Sequence, residues 1–172
     1  SAASDVYKRQ PWYSEKCECV QNGISIEIQP EKGYQRLSIS PGDTYISLDF
    51  HVSPRWMGAN NGVRADAGKA ALMKGPLVYC LEEKENGRYL SEIFIEENTS
   101  IEETAPAEEL VGNVPTLSYK GIRVRNKGAA GENQLYGNVE LEKEEVSLQA
   151  VPYCMWNNRG EGEMLVWHKL RV

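Results

Sequence analysis

Three features of the sequence predict an all-β fold built as an antiparallel, jelly-roll-like β-sandwich. From Pro11 onward apolar residues recur with a period of two in short runs, the spacing that turns one face of a strand toward a core. Gly, Pro, Asn and Asp separate those runs, as tight reversals of the chain require. No stretch holds apolar residues at helical spacing for three turns. At 172 residues the chain is long enough to bury a core without disulfide staples.

The first ten residues stand apart. Asp5-Val6-Tyr7-Lys8-Arg9-Gln10 resembles one reading frame of a transposase sequencing adapter, so 1–10 is expected to be either such a remnant or a disordered tail. Runs at 17–20 and 24–28 flank Gln21-Asn22-Gly23, and Asn-Gly between two such runs predicts a hairpin, because both residues tolerate positive φ. A strand follows at 34–39, Pro41-Gly42-Asp43 turns the chain, and 45–52 places Ile46, Leu48, Phe50 and Val52 on one face. The other face carries Tyr45, Ser47, Asp49 and His51, so one side is buried and one wet. Residues 53–69 show no sustained period and are expected to form a long surface connection.

Within 70–82 the apolar run 77–81, preceded by Gly75-Pro76, predicts a strand covered on both faces. Further strands are expected at 89–96, 117–125, 139–141, 146–153 and 164–172, with a Glu-rich interval reaching about Glu109. Pro106 with acidic residues behind it suits about one helical turn at 106–110. A Gly/Asn/Arg loop at 157–162 separates the last two strands.

The formal charge of −6 disfavours a phosphate-rich partner. No run approaches the ~18 apolar residues of a membrane span, and the amino terminus lacks a signal-peptide layout. Neither nucleic acid nor a membrane is therefore expected as a partner. Cys17, Cys19, Cys80 and Cys154 make no compact disulfide framework, which points to reduced thiols and favours a cytoplasmic location.

The carboxylate doublets Glu82-Glu83, Glu96-Glu97, Glu102-Glu103, Glu108-Glu109 and Glu144-Glu145 are expected to be solvated. Nothing in their spacing selects a glycosidase acid and base, and no catalytic residue is assigned. Cys17 and Cys19 would share a strand face, but third and fourth metal ligands are lacking, so both are expected to act as small buried hydrophobes, with no metal ligand assigned. His51 and His168 are single histidines at strand positions. Trp12, Trp56, Trp156, Trp167 and Tyr153 could stack on sugar rings or fill the core. Trp56 and Trp156 are the candidate carbohydrate-binding residues, because each adjoins a Gly/Asn-rich loop.

Two stretches are more specific. Gly68-Lys69-Ala70-Ala71-Leu72-Met73-Lys74-Gly75-Pro76-Leu77-Val78-Tyr79-Cys80-Leu81-Glu82 and Ala150-Val151-Pro152-Tyr153-Cys154-Met155-Trp156-Asn157-Asn158-Arg159-Gly160-Glu161-Gly162-Glu163-Met164-Leu165-Val166-Trp167 resemble the closing signatures of glycoside hydrolase family 127, the β-L-arabinofuranosidase-like proteins. Pro11-Trp12, Asn22-Gly23, Gly33-Tyr34 and Gly42-Asp43 fit, in order, that family's middle β-sandwich.

The resemblance implies that 11–85 is the carboxy-terminal part of the middle sandwich and 86–172 a terminal sandwich. It also implies an upstream barrel of paired helices carrying a zinc-bound cysteine nucleophile and a carboxylate acid/base, which retain configuration as they release β-L-arabinofuranose. Metal binding keeps such a sulfur deprotonated, and a covalent intermediate divides the displacement into two easier steps. Those motifs lie outside these 172 residues, so zinc is implied for the upstream domain and no cofactor for this segment. The expected role is non-catalytic support of that domain, the principal partner, with a glycan or a second copy as further partners. The alternatives are an autonomous carbohydrate-binding module and a free-standing β-sandwich interaction protein.

Overall fold

In the computed structural model, residues 4–39, 41–105, 114–129, 131 and 134–171 are described. The one-turn helix expected at 106–110, with Glu108-Glu109, lies outside them. The chain divides into two units, Ser1–Ser53 and Pro54–Val172.

In the first unit β1 (Ser4–Arg9) pairs antiparallel with β4 (Tyr34–Ile39) along its whole length. The segment expected to be an adapter remnant or a disordered tail holds a strand here, its backbone groups matched by those of β4. β2 (Lys16–Gln21) and β3 (Ile24–Ile26) form the expected hairpin, with Gln21 opposite Ile24. Asn22 at φ 50 and Gly23 at φ 82 supply the left-handed turn. β5 (Ile46–His51) pairs with β2, and its half-buried and exposed residues alternate as the period predicts.

The second unit begins with a strand that the sequence hides. β6 (Pro54–Gly58) pairs with β7 (Lys69–Lys74) inside the supposed surface connection. Its proline sits at the strand's first position, where a missing N–H is tolerated. β8 (Leu77–Glu82) follows across the Gly75 turn, then helix α1 (Glu83–Asn86). β9 (Ile93–Glu96), β10 (Ile101–Thr104), β11 (Thr116–Asn126), β12 (Leu141–Pro152), β13 (Met164–Leu165) and β14 (Trp167–Arg171) complete the unit. The boundary expected at 85/86 falls inside α1. β7 and β8 belong with the later strands because β14 and β12 hydrogen-bond to them.

Six strands close on themselves. β7 pairs with β8, β8 with β12, β12 with β11, β11 with β9, β9 with β14, and β14 with β7. The ring is antiparallel except at β9–β14, which is parallel. The all-β fold stands, but this barrel-like closed sheet takes the place of two clearly separate facing layers. Closure removes exposed sheet edges. Leu72, Tyr79, Leu81, Ile93, Leu117 and Leu148 form its core. β8 is covered on both faces as its apolar run predicts: Tyr79 and Leu81 face that core, whereas Cys80 packs with Val151, Met155 and Met164. Burial pushes the Cys80 thiol up to about 12.

Candidate functional site

At the end of β12, Pro152 leads into a single 3₁₀ turn, Tyr153–Met155. The turn brings the rings of Tyr153 and Trp156 nearly parallel, 11° apart with centroids 6.1 Å from each other. Both remain open to solvent, 45% and 40% exposed. Flat aromatic surface with a polar handle, presented this way, is what sugar rings stack on.

The loop behind this pair is held by buried charge. Arg159 Nη1 lies 2.6 Å from Glu85 Oε1 and its Nη2 lies 3.0 Å from Glu85 Oε2, while Nη2 also donates to Glu82 Oε2. Glu82 Oε1 accepts the Asn157 backbone N–H at 3.0 Å. Burial opposes the guanidinium charge, yet the two carboxylates together hold the Arg159 pKa above its ordinary value. Farther along the loop, Glu163 N–H donates to Glu83 Oε2 at 3.0 Å, and Glu163 Oε2 accepts the Leu90 N–H at 2.8 Å. Chemically the cluster is an anchor, since its buried carboxylates are engaged by the guanidinium. Glu82 thus departs from the solvated role expected of the Glu82-Glu83 doublet. The doublet gives no sign of this, because the partner is 77 residues away.

The two candidate tryptophans are not brought together. Trp56 is half-buried and packs against the barrel core. Its ring meets Tyr119 edge-on at 5.0 Å and His168 at 5.2 Å, and its indole N–H donates to the Thr99 carbonyl at 3.1 Å. Trp56 therefore serves packing in this structure, while Trp156 lies in the exposed pair. Sequence reasoning left His168 without a partner. The structure supplies one: Nδ1 donates to the Val166 carbonyl at 3.0 Å, which leaves Nε2 to accept the Tyr119 hydroxyl at 2.7 Å. Burial pushes the imidazole down to about 4 and the phenol well above its usual value.

Cys17 is half-buried and Cys19 buried. Burial raises the Cys17 thiol, and the neighbouring Cys19 and Asp49 raise it further, the opposite of what a metal-bound thiolate needs. Beside them Glu18 is engaged by Lys16 at 2.6 Å, with His51 Nε2 3.4 Å away. Among the described residues no three His, Cys, Asp or Glu come together as a possible metal site. These residues do not fit the zinc centre that the resemblance implies elsewhere.

Comparison with known proteins follows the division of the chain. The family model "Glycoside hydrolase family 127 C-terminal domain" matches residues 54–169, all but the last three residues of the second unit. A "Non-reducing end beta-L-arabinofuranosidase" from Bifidobacterium longum subsp. longum is 34% identical over 144 residues, covering 81% of this chain and 22% of that protein. The crystal structure of a family 127 β-L-arabinofuranosidase from Geobacillus stearothermophilus T6 superposes with a TM-score of 0.84 at 32% identity, over 99% of this chain and 27% of that one. A second family 127 β-arabinofuranosidase structure gives a TM-score of 0.76 at 26% identity, over 96% of this chain and 25% of that one. The chain thus spans about a quarter of the length of these relatives. On the match of its barrel unit to that family's carboxy-terminal domain, the chain belongs to glycoside hydrolase family 127.

Proposed function

We propose that this chain is the non-catalytic carboxy-terminal part of a family 127 glycoside hydrolase and supports an upstream barrel of paired helices. The parent enzyme hydrolyses β-L-arabinofuranosides or related plant glycan side chains, with zinc held by that upstream domain. The first unit, in this reading, is the carboxy-terminal part of a jelly-roll-like middle sandwich, and the closed sheet is the terminal domain. The observation that carries the reading is the match of 54–169 to the family's carboxy-terminal domain, in a chain covering 22% and 27% of two β-L-arabinofuranosidase relatives. The use of buried ionisable groups supports it. Glu82 and Glu85 bind Arg159, and His168 binds Tyr119, so these groups hold the fold together.

Reading the genomic DNA upstream of the Pro11 codon tests this. A continuous frame encoding a helical barrel with catalytic cysteines and a glutamate is expected. A start codon immediately before Ser1, with no such domain preceding it, would overturn the proposal.

The exposed Tyr153–Trp156 pair favours a second reading, in which the segment itself binds glycan. Titration with arabinan or hydroxyproline-linked arabinosides is then expected to change tryptophan fluorescence saturably. Trp156→Ala would abolish the change while leaving the fold intact. A flat titration with the unaltered chain would remove this reading.

A further inference from the structure

The hairpin β11–β12 runs beyond the buried part of the barrel. The first five residues of β12, 141–145, are exposed, whereas Leu148, Ala150 and Val151 are buried. Charges on this outer stem are engaged with each other, Lys127 with Glu142 at 2.6 Å and Arg125 with Glu144 at 3.5 Å. The stem ends in a loop closed by its own contacts. Asn126 Oδ1 accepts the backbone N–H groups of Gly128 at 3.2 Å and Glu140 at 2.8 Å. Gln134 Nε2 donates to the carbonyls of Gly128 and Tyr136, each at 3.2 Å. Gly128 and Gly137 meet across the neck so closely that a Cβ on either would overlap the facing backbone. Both positions need glycine for lack of space.

On this self-closed loop Leu135, Tyr136 and Val139 are 84%, 89% and 80% exposed, and Leu141 beside them is 56% exposed. Apolar side chains held out beside a neck braced by these contacts match a docking element, because the bracing meets part of the ordering cost before the partner arrives. With Leu135, Tyr136, Val139 and Leu141 the side chains held out here, the complementary surface is apolar.

We propose that the 134–141 loop docks into an apolar recess on the upstream helical domain of the same polypeptide. This rests on reading the chain as the carboxy-terminal part of a longer enzyme. Area favours that occupant over a second copy: four side chains present a few hundred Å², short of the roughly 800 Å² per partner that a stable complex buries. A tethered partner needs less, since the linkage supplies a high effective concentration. Length favours it too, because the chain covers only 22% and 27% of these relatives and itself carries the family's carboxy-terminal domain.

Hydroxyl-radical footprinting of the longer enzyme, at several dilutions, tests the docking, with buried Tyr79 as internal ruler. Tyr136 and Leu135 are expected to be modified at least fivefold more slowly than in the 172-residue chain, Tyr136 within about twofold of Tyr79, at every dilution. Equal rates in the two proteins would overturn the proposal. Protection that fades on dilution would also overturn it, assigning the loop to a second copy. Absence of an upstream helical domain shows in the DNA instead, so failure of the underlying reading is told apart from failure of the docking.

Discussion

Tyr119 and His168 meet through a 2.7 Å hydrogen bond inside the barrel, with the imidazole wholly shielded from solvent and the phenol 5% exposed. The bond joins β11 to β14, which are not neighbours in the ring, since β9 lies between them. Trp56 from β6 covers both rings edge-on. A polar pair is thereby satisfied in an apolar interior, where either group alone would cost about 1–3 kcal/mol.

The pair makes stability depend on pH. The folded-state pKa of His168 is pushed down to about 4 from 6.5 by burial, so below pH 6.5 the unfolded chain binds the extra proton first. This contribution is full above about pH 6.5 and is lost as pH falls toward 4, up to roughly 3 kcal/mol. Urea unfolding between pH 7 and 4.5 is expected to show that slope in the unaltered protein and a flatter one in His168→Gln. Equal slopes would remove the assignment.

The two tryptophans are expected to separate by stability. Trp56→Ala opens a cavity beside Tyr119 and His168 and is expected to cost about 3 kcal/mol. Trp156→Ala removes a ring that is 40% exposed and is expected to leave the unfolding midpoint nearly unchanged. Thermal melts of the two variants compare them directly.

Arg159 neutralises the buried Glu82 and the partly buried Glu85, whose side-chain exposures are 7% and 16%. Arg159→Ala leaves both uncompensated and is expected to destabilise the fold by about 3–5 kcal/mol. Arg36→Ala breaks the exposed ion pair with Asp5 and serves as the control, with little change expected in the same urea titration.

The strand faces and the β2–β3 hairpin were legible in the sequence, and the partners of the barrel strands were not. Alternation at Ile46, Leu48 and Phe50, and the Asn22-Gly23 turn, follow from local backbone rules that a few residues satisfy by themselves. Closure of the barrel depends on pairings such as Ala71 with Trp167 and Lys169 with Phe94, which a period of two leaves open. β6 escaped notice because Pro54 and Gly58 bound a run too short to show alternation. Trp56 and Trp156 both adjoin Gly/Asn-rich stretches, yet Trp156 is exposed and Trp56 turns inward, a difference that those neighbours leave open. The Arg159 cluster joins residues far apart in the chain, and a glutamate doublet looks the same whether buried or wet.

The unit boundary at 53/54 gives an expectation for fragments. Residues 11–85 contain β7 and β8 without β12 and β14, which leaves unpaired edges and an uncovered apolar face. That fragment is expected to aggregate, whereas 54–172 is expected to stay monomeric and unfold cooperatively. Sedimentation and circular dichroism melts distinguish the two behaviours.

The most direct measurement is turnover of an aryl β-L-arabinofuranoside, with and without added zinc, by the 172-residue chain and by the longer enzyme read from the same genome. No turnover is expected from the chain under either condition, and zinc-dependent release of the sugar is expected from the longer enzyme. Zinc-dependent turnover by the 172-residue chain alone would contradict the account.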